Sequence, residues 1–185
     1  MSSTWQVGLV VVAVVAGGFA AGTSQTPTAL EYEIKAVFLM NFARYVEWPA
    51  QSPQADVKRP IVVGVLGRDP FGTTLDEALR DRTVQGRPLV ARRYRKPEEI
   101  DLCHVLFVSP SADGREPGVL KMMEKSAVLT VTDEGRAGTG EGIIHFSMEG
   151  QKVRFAVDLQ AAQRSGLRIS SQLLKIAARV RGLPP

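Results

Sequence analysis

Three short apolar runs constrain this chain more than anything else in it: Ile61–Leu66 (IVVGVL), Leu102–Val108 (LCHVLFV) and Ala127–Val131 (AVLTV). A strand that is apolar without interruption must be covered on both faces, which is the pattern of a parallel sheet held between helices. The segments between the runs read as helix. Asp69-Pro70 is a natural N-cap followed by proline at the first helical position, with Leu75, Ala78 and Leu79 turned inward up to about Asp81. A second strand over Pro88–Tyr94 and a short helical turn at Pro97-Glu98-Glu99 follow, then a helix over Pro117–Lys125. Strands alternating with helices predict an α/β domain with a mainly parallel sheet and helices on both faces. Leu102–Val108, the most apolar run, is expected at its centre.

The pattern changes after residue 133. Asp133–Gly142 (DEGRAGTGEG) reads as a glycine-rich surface loop. Ile143–Met148 and Lys152–Asp158 flank Glu149-Gly150 and predict a C-terminal β-hairpin, whose second arm alternates Val153, Phe155, Val157 against Lys152, Arg154, Ala156. Two short helices close the chain. One spans Leu159–Arg164 and ends at Ser165-Gly166. The other spans Ser171–Arg181, capped by Ser170, with Leu173, Leu174, Ala177 and Val180 inward. No repeat and no linker divides residues 29–182, so one domain is expected.

Ala29–Val46 has helical periodicity, with Leu30, Ile34, Val37, Phe38, Phe42 and Tyr45 forming one apolar stripe. Glu31 and Glu33 near its start and Lys35 and Arg44 further on suit the helix dipole, and Pro49 ends it. Asn41 falls on the apolar face and reads as a buried amide tied to a neighbouring backbone.

The first 30 residues contain no charged side chain. Val7–Ala21 is an apolar run of about 15 residues that leads into small residues, the order of a secretory signal peptide over residues 1–24, and too short to span a membrane comfortably. The protein is therefore expected to be exported. No cysteine follows the run, which excludes a lipoprotein. Cys103 is the one cysteine, so no intrachain disulfide forms, and zinc ribbons and C-x-x-C redox motifs are excluded.

A net charge of +4 spread over mixed-sign stretches gives little reason to expect nucleic acid. The basic run Arg92-Arg93-Tyr94-Arg95-Lys96 reads as a solvated strand end rather than a phosphate site, because no glycine-rich loop or stacking platform accompanies it. His104 and His145 both lie in strand-like segments without acidic neighbours at fixed spacing. Nothing resembles a nucleophile turn or a P-loop. Asp133, Glu134 and Glu141 have the chemistry to bind a hard cation, but fit a solvated loop better. No catalytic residue, metal ligand or cofactor site is expected.

Several blocks nevertheless resemble the YfiR family of exported regulators. They are Glu31–Pro49 (EYEIKAVFLMNFARYVEWP), Asp69–Gly72, Gly86–Leu89, Cys103–Ser109, Val128–Val131, Val153–Phe155 and Gly166–Leu174 (GLRISSQLL), in order over about residues 30–182. The resemblance implies a periplasmic α/β protein that binds the periplasmic domain of a membrane diguanylate cyclase and holds it inactive. An outer-membrane lipoprotein antagonist would relieve the repression, and cyclic-di-GMP output would set biofilm formation. A sensor kinase as partner, a small-molecule-binding role feeding such a kinase, and a homodimer stay open. Tyr45, Trp48 and Arg168 are the candidate partner contacts, with core packing the competing reading for the two aromatics. Disulfide-based control does not carry over to a chain with one cysteine.

Overall fold

The computed structural model describes residues 29–110, 116–133 and 142–182. The predicted leader at residues 1–24, and Glu134 and Glu141, lie outside them. The chain opens with helix α1 (Ala29–Arg44) and strand β1 (Val46–Glu47), followed by β2 (Ile61–Leu66), α2 (Thr73–Leu79), β3 (Thr83–Val84), β4 (Arg87–Tyr94), β5 (Val105–Val108), α3 (Glu116–Met123) and β6 (Leu129–Asp133). It ends with the hairpin β7 (Ile144–Glu149) and β8 (Lys152–Asp158), then α4 (Leu159–Arg164), β9 (Arg168–Ile169), α5 (Ser171–Ile176) and β10 (Arg179–Arg181). Eight strands form one sheet in the order β3-β4-β2-β5-β6-β7-β8-β10. From β4 to β7 all pairs are parallel, β8 turns back antiparallel on β7, and β10 runs parallel to β8. The expected α/β architecture with its hairpin is therefore present, and β5 sits inside the sheet between β2 and β6.

Alternation along the inner strands divides the core into two layers. Ile61, Val63 and Val65 of β2 and Val105 and Phe107 of β5 face a layer that also takes residues from α1, α2, α4 and α5. Val62, Leu66, Leu106 and Val108 face the other side, where Val119, Leu120 and Met123 of α3 cover them. Gly64 lies in β2 on that second side. A Cβ there would stand 2.7 Å from the Tyr94 ring and 2.8 Å from Cys103 Sγ, so the glycine makes room for the two side chains that fill its place. Cys103 itself is buried, and burial pushes its thiol up to about 12, the behaviour of a small hydrophobe.

Four expectations are corrected. First, the inward face of α1 is only partly the expected stripe: Phe42 is buried and Ile34, Phe38 and Tyr45 pack on the core, but Leu30 and Val37 are 62% and 48% exposed, and Lys35, Ala36, Leu39 and Ala43 complete the buried face. Phe42 packs within 5.1 Å of Phe155 and 5.7 Å of Phe146, centroid to centroid, which anchors α1 to the hairpin. Second, Asn41 donates to the Val37 carbonyl of its own helix at 3.0 Å, and among the described residues it ties α1 to no neighbouring element. Third, α2 begins at Thr73: Asp69 accepts from Phe71 N–H at 2.7 Å in a turn that precedes the helix, and Gly72, at φ 54°, supplies the cap. Fourth, the last helix stops at Ile176. Ala178 N–H donates to the Phe155 carbonyl at 2.8 Å, and the chain continues as β10 along the hairpin.

Candidate functional site

Three places in the fold hold polar chemistry, and the first is at the C-terminal ends of the parallel strands. Asp133, expected in a solvated loop, ends β6 and is nearly buried. Its carboxylate accepts from Lys35 Nζ at 2.7 and 2.6 Å, and Lys35, only 1% exposed, also pairs with Glu31 one turn earlier. The ammonium lies 4.9 Å from the centroid of the Tyr32 ring. Burial, and then the carboxylates of Asp133 and Glu31, raise the Tyr32 phenol to about 12. Ligands of α/β proteins usually bind at this end of the sheet. Here the charges are directed at one another and clamp the start of α1 to the end of β6.

The second place is at the opposite end of the strands. His104, just before β5, is fully buried. Its Nδ1 accepts from Val62 N–H at 3.0 Å, which leaves the proton on Nε2 to be donated to the Gln54 carbonyl at 3.0 Å. Arg87 Nη2 stands 2.8 Å from that same nitrogen. The guanidinium donates to the carbonyls of Arg59 at 2.8 Å and Gln54 at 2.9 Å. Burial first, and then the Arg87 charge, lower the His104 imidazole to about 4. His145 is on β7, where Thr132 Oγ1 lies 2.5 Å from Nδ1. The two histidines belong to separate clusters, and neither forms a catalytic pair with the other. Among the described residues no group of three or more His, Cys, Asp or Glu could hold a metal ion.

In the basic run at the end of β4, Arg92 and Arg93 are paired, while Arg95 and Lys96 are exposed. Arg93 reaches Asp69 at 2.9 Å, Asp76 at 2.6 Å and the Gly72 carbonyl at 2.8 Å, and Arg92 pairs with Asp101 at 2.9 Å. These pairs hold α2 and the loop after β4 against the sheet, and Tyr94 between them is buried.

The third place is a two-stranded ribbon beside the His104 cluster. β1 and β9 pair antiparallel, Val46 with Ile169 and Glu47 with Arg168. Ser170 N–H donates to the Tyr45 carbonyl at 2.9 Å and closes it. Gly166, at φ 70°, brings its backbone so close to Pro49 that a Cβ would stand 3.1 Å from the proline ring. All three candidate contacts therefore gather here, although 123 positions separate Tyr45 from Arg168 in the chain. Their exposures differ. Tyr45 and Trp48 are half-buried against the main core, and the Trp48 ring meets the His104 ring edge-on at 5.3 Å. The Arg168 side chain is 85% exposed, with Glu47 3.6 Å away. The sequence reading missed the Lys35–Asp133 pair and the Arg87–His104–Gln54 cluster. The signal for the first was a lysine among apolar residues of α1; for the second, an arginine between Gly86 and Pro88 and a histidine inside an apolar run.

No helix among the described residues is long and apolar enough to cross a membrane. A family model described as YfiR/HmsC-like matches residues 32–178, more than three-quarters of the chain, and spans α1 through α5. The two arms of the β1–β9 ribbon, which carry the first and last blocks of the resemblance, both fall inside that match. The chain belongs to the YfiR/HmsC-like family, a family of periplasmic regulators rather than of enzymes.

Proposed function

We propose that this protein acts in the periplasm by binding the periplasmic domain of an inner-membrane signalling protein, a diguanylate cyclase, and holding it inactive. Repression lowers cyclic-di-GMP and with it biofilm output; an outer-membrane lipoprotein is the expected antagonist. The observation that carries this reading is the match to a regulator family over almost the whole folded domain. The internal pairing of the polar clusters agrees with it, since Lys35, Asp133, Arg87 and His104 bond one another or the backbone. The β1–β9 ribbon is the proposed contact surface. Tyr45, Trp48 and Arg168 are its contact residues, with Arg168 the most accessible of them. The residues upstream of α1 are read as a cleaved secretory signal, which N-terminal sequencing of the exported protein would establish.

The test is co-purification of the protein with the extracytoplasmic domain of each membrane sensor found encoded beside it, a cyclase being expected, together with cellular cyclic-di-GMP measured with and without the protein. Stable association and a fall in cyclic-di-GMP are expected. No association with any neighbouring membrane sensor would sink the proposal. Association with a sensor kinase and no change in cyclic-di-GMP would reassign the output.

A further inference from the structure

We propose that His104 is the trigger of an acid-operated release of the β1–β9 ribbon: when its ring takes up a second proton it leaves its seat, frees Trp48 and loosens the ribbon's hold on a partner. The proposal rests on the reading of the ribbon as the contact surface. The ring sits among groups that fit only its neutral form. Its Nδ1 accepts from the Val62 N–H at 3.0 Å, and its Nε2 stands 3.0 Å from the Gln54 carbonyl and 2.8 Å from Arg87 Nη2. A second proton has to go on Nδ1, the atom that accepts. There it points at the Val62 N–H, donor against donor, and it sets a positive ring beside a guanidinium that keeps its own charge. Burial, and then the Arg87 charge, hold the imidazole at about 4. A ring displaced into water returns towards its ordinary 6.5, so protonation favours the displaced ring by at most about 300-fold.

Among the described residues no carboxylate bonds the ring and offsets that conflict. Arg87 faces it from β4. In the segment between β1 and β2, Asp56 and Arg59 are exposed and pair with each other at 3.3 Å, and Lys58 beside them is exposed. Asp101, on the chain leading to His104, is exposed and pairs with Arg92. From β2 and β6 come apolar side chains, among them Val62 and Leu129. Both strands also hold the His104 backbone: its N–H donates to the Val62 carbonyl at 2.9 Å, and its carbonyl accepts from the Leu129 N–H at 2.8 Å. The ring is therefore the part that moves. Trp48, half-buried, meets it edge-on at 5.3 Å and follows β1 directly in the chain. The ribbon has two residue pairs and the Ser170–Tyr45 hydrogen bond. Two strands that short are held by what they pack on, so a change at the seat of Trp48 reaches both arms. Histidine protonation that flips an interface is a known design for sensing acid.

Trp48 reports the switch itself. In a Trp5→Phe background it is the sole tryptophan, and its emission maximum is followed from pH 7.5 to pH 4 beside the far-ultraviolet ellipticity. A red shift completed at higher pH than any loss of ellipticity is expected. His104→Gln, whose amide can make both bonds without titrating, should abolish that shift. In a second arm, the extracytoplasmic domain that co-purifies with the protein is titrated against wild type and His104→Gln at pH 7.5 and pH 5. Wild-type affinity should fall at least tenfold, and that of the variant should stay within about twofold. A Trp48 emission that shifts only together with the ellipticity overturns the inference. So does an equal shift, or an equal loss of affinity, in a folded His104→Gln. Should that variant fail to fold, the comparison of the two wild-type signals decides. Should no domain bind at pH 7.5, the functional reading fails, and the Trp48 measurement still decides the switch.

Discussion

At the residue scale the most consequential side chain is Lys35. A lysine in the middle of a helix ordinarily marks the solvent side, and it is tolerated on the core face here because Asp133 and Glu31 surround its ammonium. Removing one member leaves the others buried and uncompensated. Lys35→Met is therefore expected to cost about 3 kcal/mol, measured as a lowered urea midpoint, and to cost more than Lys35→Met combined with Asp133→Asn. His104 makes a second residue-scale prediction. Its imidazole is held down at about 4 by burial and the facing Arg87, against 6.5 when unfolded. The unfolded chain thus binds more protons between those values, so stability is constant above pH 6.5, falls as pH drops through 6.5 towards 4, and is lost below. A loss on the order of 2 kcal/mol is expected over that window. A series of thermal melts from pH 7.5 to pH 4 would show it, and His104→Gln should flatten the slope. An equal slope in the variant would assign the acid sensitivity elsewhere.

At the scale of elements, α1 decides how the two halves of the domain meet. Its inner face bears on the hairpin through Phe38 and Phe42 and on the turn before α2 through Tyr32, whose ring lies 5.3 Å from that of Phe71. Phe42→Ala is expected to destabilise by about 3–5 kcal/mol, because it opens a void among three aromatic rings. Val37→Ala, one and a half turns earlier on the outer face, is expected to change stability by less than about 0.5 kcal/mol. Denaturant titration of the two variants separates the observed buried face of α1 from the stripe that periodicity predicts. The reason the stripe misleads is physical. Both sides of α1 are apolar, and its one deeply buried charge has a partner 98 positions away, so no window of sequence along the helix contains the deciding contact. Asn41 misleads for the same reason: it lies on the side of α1 that Leu30 and Val37 turn to solvent.

On the scale of the whole molecule, the β1–β9 ribbon joins the two ends of the folded chain and carries the proposed contact surface. Arg168 is exposed, and its pairing with Glu47 at 3.6 Å between two exposed side chains contributes little to stability. Arg168→Glu should therefore melt like the wild type, yet lower affinity for the cyclase periplasmic domain about tenfold or more if the ribbon is the interface. Titration calorimetry against that domain is the measurement. Unchanged affinity would move the contact to another face. Trp48 is expected to behave differently: it packs on His104, so Trp48→Ala should destabilise as well as weaken binding.

Much of this architecture was legible in the chain itself. Continuous apolar runs can be satisfied only inside a covered sheet, so β2, β5 and β6, the helices between strands and the alternating hairpin arm could be read directly. The ribbon residues Tyr45, Trp48 and Arg168 were singled out only through blocks of resemblance, and nothing local foretold that they would share one corner. Short elements escaped as well. β1, β9 and β10 have two or three residues each, too few for a period to appear, and they exist because a neighbouring strand offers hydrogen bonds. The amino-acid sequence by itself thus determined which segments must be buried and in what order they alternate, because periodicity and apolar continuity are local properties. Only the tertiary structure decided which face of α1 is turned inward, that Lys35 and Asp133 meet, that His104 stands against Arg87, and that the first and last blocks form one ribbon. Those outcomes depend on contacts between residues distant in the chain, whose energies appear only when the sheet has brought them together.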